Sequence, residues 1–304
     1  MSTVELPQGT RARAFLVLSR PHQWLKNPLP IFLPLIQASH WNAWIPFRLI
    51  YVTALFVLAS IAVYVLNDIV DRDRDRLHPR KRLRPLAAGD ITPATAYGFL
   101  AAVCVLLCAG TAVLPPGEGW PVWAYTALNL AYSLRLKHVP LVEAFAVAAG
   151  FVLRVLAGYA AIGLRPSPWL LLSVLTGCLL LVLGKRRKEL ADGATEHRPV
   201  LGGYSVPLLD HLILMSATLS AVGYLLFLRS ATSSGHDPVV LILLSAPCAL
   251  FALFRYLQLL MVEGGGGDPS ATLLRDRPLL ASGVLWATVV VLSLVFFDPR
   301  VSVN

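Results

Sequence analysis

Asp68, Asp71 and Asp75 stand at i, i+3 and i+7 in the run Asn67-Asp68-Ile69-Val70-Asp71-Arg72-Asp73-Arg74-Asp75. On a helix turning about 100° per residue these three carboxylates fall within an arc of about 60°, whereas Asp73 lies about 140° from Asp68. Three like charges on one arc repel unless a cation sits among them. Oxygen-only donors, with no thiolate or paired imidazoles beside them, favour Mg²⁺ over zinc. Mg²⁺ usually takes one or two carboxylates and completes its shell with substrate phosphates. The expected chemistry is therefore that of a metal–diphosphate held and activated by Asp68, Asp71 and Asp75. The basic run that follows, His78-Pro79-Arg80-Lys81-Arg82-Leu83-Arg84, supplies counter-charge. Lys81 and Arg84 are the candidates to grip phosphate oxygens. Asn67 and His78 could bind the same ligand, although His78 serves equally as a plain loop histidine. The competing reading is a solvated loop whose acids and bases only pair with one another.

A second concentration of charge is Gly184-Lys185-Arg186-Arg187-Lys188-Glu189-Leu190, with Asp192 just beyond. Lys185, Arg186 and Glu189 are candidate substrate-binding residues, and the same run would also serve as a plain topological anchor. Lys26, after Gln23-Trp24, could reach a lipid phosphate, with Trp24 equally an interfacial anchor. Tyr132, Arg135 and Lys137 are placed to line a cavity at one end of a span. Arg154 lies well inside an apolar run, where an unpaired charge is expensive, so it is expected to face an interior cavity or a partner. Glu143, three turns earlier, is too far along the helix to be that partner. Cys104, Cys108, Cys178 and Cys248 all fall in apolar runs without metal-ligand spacing and read as small core residues.

These residues must be positioned by elements that live in lipid. Of 304 residues, 56% are hydrophobic and only 14% charged, and the mean hydropathy is +0.66. A water-soluble domain carries about 25% charged residues. The patterning predicts about nine transmembrane helices: Pro28–Ser39, Phe47–Asp68, Pro93–Leu114, Gly119–Leu134, Pro140–Gly163, Ser167–Leu183, Pro207–Leu228, Pro238–Val262 and Pro278–Phe297. The first is short and broken by Pro30 and Pro34. Met1–Arg20 lacks the apolar core of a cleavable signal, and Arg11–Leu18 reads as a short interfacial helix. With the N-terminus cytoplasmic, 20 of the 26 Lys+Arg fall on the cytoplasmic side, which fixes the expected orientation by the positive-inside rule. The net charge of +9 thus sits in loops between spans, and nucleic acid is not an expected partner. The fold class is all-α, a polytopic membrane protein. Residues 1–304 are read as a single domain, of which 1–27 form a cytoplasmic N-terminal segment. Small residues at Ala146–Gly150 and Ala157–Gly163 are expected at helix contacts. Homo-oligomerisation is left open.

The Asn67–Asp75 run and the basic residues after it closely resemble the first aspartate-rich signature of the UbiA superfamily of intramembrane prenyltransferases, and the nine spans look like that family too. The resemblance narrows to one branch, the polyprenyl-phosphate phosphoribosyltransferases, typified by decaprenyl-phosphate phosphoribosyltransferase. Three further segments carry it: Arg20-Pro21-His22-Gln23-Trp24-Leu25-Lys26-Asn27, Tyr132-Ser133-Leu134-Arg135-Leu136-Lys137, and Gly184 to Leu190. Typical members place a second aspartate-rich motif at the third position, to hold another Mg²⁺ on a prenyl diphosphate. Here cations stand instead, which suits direct binding of phosphates.

The resemblance implies a UbiA-like bundle in the inner (plasma) membrane, with a cavity open to the cytoplasm and a lateral path for a polyprenyl chain among the membrane lipids. It implies Mg²⁺-dependent transfer of 5-phosphoribosyl from phosphoribosyl diphosphate to a polyprenyl phosphate, toward a lipid-linked pentose donor for cell wall biogenesis. An ordinary prenyltransferase, moving a prenyl group from prenyl diphosphate to a small acceptor, is the alternative, and the missing second motif counts against it. A transporter would spread polar residues along several spans, whereas here they gather at one face.

Overall fold

The computed structural model describes residues 8–24, 26–38, 43–77, 81–193, 198–231, 238–267 and 269–296. His78 and Arg80, the expected span ends Ser39 and Phe297, and Arg300 lie outside them. Among the described residues the regular structure is helical only. Chain contacts divide it into two compact units.

The first unit comprises Met1–Leu33, Asn42–Ser133 and Leu153–Gly163. It opens with α1 (Gln8–Ser19), α2 (Pro21–Trp24) and α3 (Pro28–Phe32), and its longest helix is α4 (Trp44–Val70). After α4 come two short helices, α5 (Arg72–Leu77) and α6 (Pro85–Ala88). The C-cap Gly89 of α6 has φ 91°, a left-handed turn that glycine adopts without strain. Then α7 (Pro93–Val113) starts on Thr92, whose hydroxyl accepts the Thr95 N–H at 3.2 Å, with Pro93 in the first turn. Next is α8 (Trp120–Leu134), and the later part of α9 (Val142–Ile162) completes the unit. Leu18 and Ala14 of α1 are buried with Ile61, Val65, Leu86 and Val103. The expected interfacial helix is therefore docked on α4 and α6 by one face, with Leu16 and Val17 exposed on the other.

The second unit comprises Pro34–Trp41, Leu134–Val152 and Leu164–Asn304. It holds the start of α9, then α10 (Pro168–Ala191), α11 (Val206–Ala231), α12 (Pro238–Met261), α13 (Pro269–Arg275) and α14 (Arg277–Phe296). The Ser167 hydroxyl caps α10 by accepting the Leu170 N–H. Small residues bring α10 and α11 together. The Ser173 hydroxyl donates to the Ser220 carbonyl at 3.0 Å and the Ser220 hydroxyl to the Ser173 carbonyl at 3.1 Å. A Cβ on Gly223 would stand 3.1 Å from the Ser173 nitrogen, the close approach that small residues permit between helices in lipid.

Among the described residues six helices, α4, α7, α9, α10, α11 and α12, are long and apolar enough to cross a bilayer. Large apolar side chains such as Val105, Leu106, Leu243 and Phe254 lie bare on them, and a water-facing surface rarely carries so many. The chain is a multi-pass membrane protein. The other three expected spans are shorter: Pro28–Gln37, where prolines split the run into an α-turn and a 3₁₀ turn; α8, with 15 residues; and the apolar part of α14, Arg277–Leu292.

Candidate active site

The end of α4 carries acids because α4 is the helix whose last turn leaves the apolar run. Asp68, in that last turn, is only 3% exposed, and Asp75, one helix later, is buried as well. The backbone ladder passes from one helix to the next: the Asp71 N–H donates to the Asn67 carbonyl and the Asp75 N–H to the Asp71 carbonyl, each at 2.8 Å. The two buried carboxylates meet at one guanidinium. Arg84 Nη1 stands 3.1 Å from Asp68 Oδ1 and 2.6 Å from Asp75 Oδ2. Lys81 Nζ lies 3.8 Å from Asp75 Oδ1. Asp73 points away, 89% exposed and paired with Arg76. Asp71 is half-buried and caps α4 with φ −88° and ψ 5°. Its departure from helical geometry falls between the Asn67–Asp71 and Asp71–Asp75 backbone bonds, so the joint is a local distortion of the turn. Among the described residues no group of three acid, histidine or cysteine side chains is arranged to hold a metal. The structure thus brings Asp68 and Asp75 together and sets Asp71 at the joint between them.

Sequence reasoning missed Arg20 as a member of this group. Its Nη2 donates to Asp68 Oδ1 at 2.5 Å, and its guanidinium lies 4.9 Å from the centre of the Tyr64 ring. Arg20 has φ 51°, a left-handed conformation that costs a residue with a Cβ about 1–2 kcal/mol. The tertiary contacts must supply that energy. Neighbouring bonds fix the joint between α1 and α2: the Trp24 indole donates to the Ser19 carbonyl at 2.9 Å and the Gln23 N–H to the Arg20 carbonyl at 2.9 Å. Lys26 is exposed a few residues on, and Tyr132 is half-buried at the end of α8.

Arg154 does not stand bare in its span. Its Nε donates to Asn27 Oδ1 at 2.7 Å and its Nη2 to the Tyr125 hydroxyl at 2.9 Å, with the guanidinium 4.5 Å from the Tyr125 ring centre. These partners are neutral and belong to the first unit's own packing, so the expected interior partner is found.

The second unit holds the other charged group. Glu143 is wholly buried, and Arg186 clasps it with Nε at 2.6 Å and Nη2 at 2.8 Å. The remaining Arg186 Nη1 reaches Glu189 at 2.6 Å, and Arg198 approaches Glu143 at 3.3 Å and Glu189 at 3.6 Å. Arg187 pairs with Asp210 at 2.5 Å and Lys188 with Asp192 at 2.7 Å. Lys185, half-buried, lies 3.9 Å from Glu189. The run that reads as a dense excess of cations is therefore largely neutralised, because Glu143 and Asp210 arrive from distant parts of the chain. Leu141, two residues before Glu143, has φ 64°, and its N–H donates to the Tyr204 hydroxyl at 2.6 Å. Burial, the largest influence, raises the Tyr204 phenol above its ordinary range, and the Leu141 N–H pulls the other way. Arg135 is exposed and Lys137 half-buried ahead of this turn.

Comparison with known proteins gives the family. The UbiA prenyltransferase family matches residues 29–265. The chain belongs to this family. It is a transferase enzyme. It is 34% identical over 284 residues to decaprenyl-phosphate phosphoribosyltransferase of Mycobacterium tuberculosis, covering 89% of this chain and 91% of the relative. The protein of the same name from Corynebacterium glutamicum is 30% identical, with 94% and 88% covered. Among solved structures, a UbiA homolog from Archaeoglobus fulgidus bound to DMAPP and Mg²⁺ superposes with a TM-score of 0.67 at 16% identity, covering 94% of this chain and 99% of that one. That likeness establishes the UbiA fold.

Proposed function

We propose that this UbiA-family transferase moves 5-phosphoribosyl from phosphoribosyl diphosphate to a polyprenyl phosphate, releasing diphosphate. The observation that carries the reading is the buried Asp68–Asp75 pair bridged by Arg84, an oxygen-only donor set with cations within reach. The names of the relatives at 30–34% identity narrow donor and acceptor. The donor set fits Mg²⁺, which takes one or two carboxylates plus phosphate oxygens. Asp68 and Asp75 would hold it, with Asp71 as the third candidate. A Mg²⁺ bound there would neutralise charge growing on the departing diphosphate. Arg84 and Lys81 are placed to turn from the carboxylates to phosphate oxygens, a charge-assisted contact that strengthens as the leaving group gains charge. The bond from the anomeric carbon to the diphosphate oxygen breaks, and one from that carbon to the lipid phosphate oxygen forms. The lipid phosphate is already anionic, so the attack needs no general base. In the second unit, Lys185 and Arg198 reach solvent beside Glu189 and are the candidates for a further phosphate, while Arg186 holds the group together through Glu143.

The rest of the reading goes with this assignment. All of 1–304 acts as one transferase domain in the inner membrane, with nine helices in the bundle, the N-terminus cytoplasmic and the active site on the cytoplasmic side. The test is turnover by purified protein given Mg²⁺, labelled phosphoribosyl diphosphate and a polyprenyl phosphate. Label entering the lipid fraction, and stopping with EDTA, is the expected result. No label transfer, with turnover instead of a prenyl diphosphate and a small acceptor, would make it an ordinary prenyltransferase.

A further inference from the structure

The second unit encloses a cavity of about 370 Å³ among α10, α11, α12 and α14, the size of a small-molecule site. Small residues make the room: Gly177, Ala221, Ala249 and Gly283 stand in its wall. Gly283 is exposed, and a Cβ there would meet nothing within 4 Å. The cavity therefore opens beside Gly283, on a face that also bares Leu280, Val284 and Leu285. A mouth among bare apolar side chains of a membrane protein exchanges its contents with hydrocarbon. The polar side chains of the wall are almost all answered from within. The hydroxyls of Ser173 and Ser220 donate to each other's carbonyls, that of Tyr224 meets Ser245 and Trp286, and that of Ser282 donates to the Cys248 carbonyl. Tyr256 is the exception. It is 3% exposed, its hydroxyl lies where a Cβ on Gly184 would stand 3.2 Å away, and that hydroxyl has no partner. A buried donor left so is costly, and an acceptor brought by a ligand removes the cost.

Cations flank the same end of the cavity. Leu273 and Leu279 belong to its wall, and between them in the chain stand Arg275 and Arg277, both exposed. The two acids nearby are already taken. Arg255 holds Asp276 with Nη2 at 2.7 Å and Nε at 3.2 Å, and Glu263 with Nη1 at 2.8 Å. Among the described residues no acid pairs with Arg275 or Arg277. Arg255 immediately precedes Tyr256, and Asp276 lies between the two exposed arginines. One ion pair thus ties the backbone that carries the unpartnered hydroxyl to the backbone that carries the free cations.

We propose that this cavity is a lipid site, holding one acyl chain of an anionic glycerophospholipid of the bilayer. Its phosphate lies at Arg275 and Arg277, and one of its ester carbonyls accepts from the Tyr256 hydroxyl. Each part of the ligand answers a part of the wall: hydrocarbon fills the apolar chamber, an anion meets the two exposed guanidinium groups, and a neutral oxygen satisfies the buried donor. A polyprenyl phosphate carries no oxygen between its phosphate and its chain. It would answer the arginines and leave the tyrosine unpartnered, so the wall favours the ester lipid. The site is independent of the Asp68 group and of the transfer reaction proposed above.

The experiment is native mass spectrometry of detergent-purified full-length protein, titrated with phosphatidylglycerol, its diether analogue, phosphatidylcholine or undecaprenyl phosphate. The proteins are wild type, Tyr256→Phe, the double variant Arg275→Gln with Arg277→Gln, and Gly283→Leu. Wild type should retain one phosphatidylglycerol about tenfold more tightly than phosphatidylcholine, and the arginine variant should lose that preference. The diether analogue, which has no carbonyl, should bind wild type about fivefold more weakly than the ester lipid. Tyr256→Phe should bind the two alike, at the weaker level. Gly283→Leu, whose side chain enters open space at the mouth, should stay folded and retain no lipid. Equal retention of phosphatidylglycerol and phosphatidylcholine by wild type overturns the proposal, as does an ester preference that survives Tyr256→Phe. Undecaprenyl phosphate displacing phosphatidylglycerol one for one, whatever stands at position 256, also overturns it and gives the cavity to a polyprenyl chain.

Discussion

A carboxylate buried at a span end is stable only while something positive faces it, and Asp68 and Asp75 share that need through one arginine. Neutralising either acid should therefore act on chemistry more than on folding. Asp68→Asn and Asp75→Asn are expected to lower kcat at least about 10²-fold, as loss of a charge-stabilising group does, while the protein stays monodisperse in detergent. Asp73→Asn, with its carboxylate out in solvent, should leave turnover within about twofold. Asp71→Asn is expected between these limits. Equal loss at Asp68 and Asp73 would refute the assignment. The second group answers to a different rule. Glu143 is wholly enclosed and Arg186 nearly so, so Glu143→Gln takes the bidentate partner from a buried guanidinium that keeps its contact with Glu189, and should cost about 3 kcal/mol in unfolding free energy. The double variant Glu143→Gln with Arg186→Met should recover part of it, read from thermal unfolding in detergent.

At the scale of elements, short connectors carry as much of the site as long helices do. Arg84 caps α6, itself only four residues long, and Arg198 enters on the turn Pro199–Gly203. That turn lies against Pro140: a Cβ on Gly203 would run into the Pro140 ring. Gly203→Ala should therefore cost about 1–3 kcal/mol by overpacking, seen as a lower unfolding temperature, and should disturb Arg198 with it. Gly223→Leu, which drives a side chain into the α10 backbone at Ser173, should be at least as damaging. If either variant unfolds like wild type, these contacts are looser than the geometry indicates.

For the molecule as a whole, the orientation argument is open to a direct check. In a background without the four cysteines, Asp73→Cys should react with an impermeant thiol reagent only from the cytoplasmic side of inner-membrane vesicles, and Glu118→Cys only from the other. The reverse pattern would turn the proposed site outward, away from any soluble phosphoribosyl donor. The two compact units each keep one charged group. This raises a functional distinction that kinetics can separate: variants in the Asp68 group should act on metal and donor, and Lys185 or Arg198 variants mainly on the KM for one phosphate substrate.

The sequence by itself determined that this chain lives in a membrane and that it is helical, and it grouped the acids at 68, 71 and 75 while setting Asp73 apart. Those conclusions depend on composition and on a local period, which a chain cannot disguise. Tertiary structure decided who answers each charge. Arg20 lies 48 positions from Asp68, Glu143 lies 43 from Arg186, and Asp210 lies 23 from Arg187. No local pattern links such pairs, so the cation run at 185–188 reads as an excess that the fold in fact neutralises. Asp71 shows the same limit in miniature. Its exact place on the arc depends on the local distortion where α4 meets α5, which the spacing of aspartates does not fix.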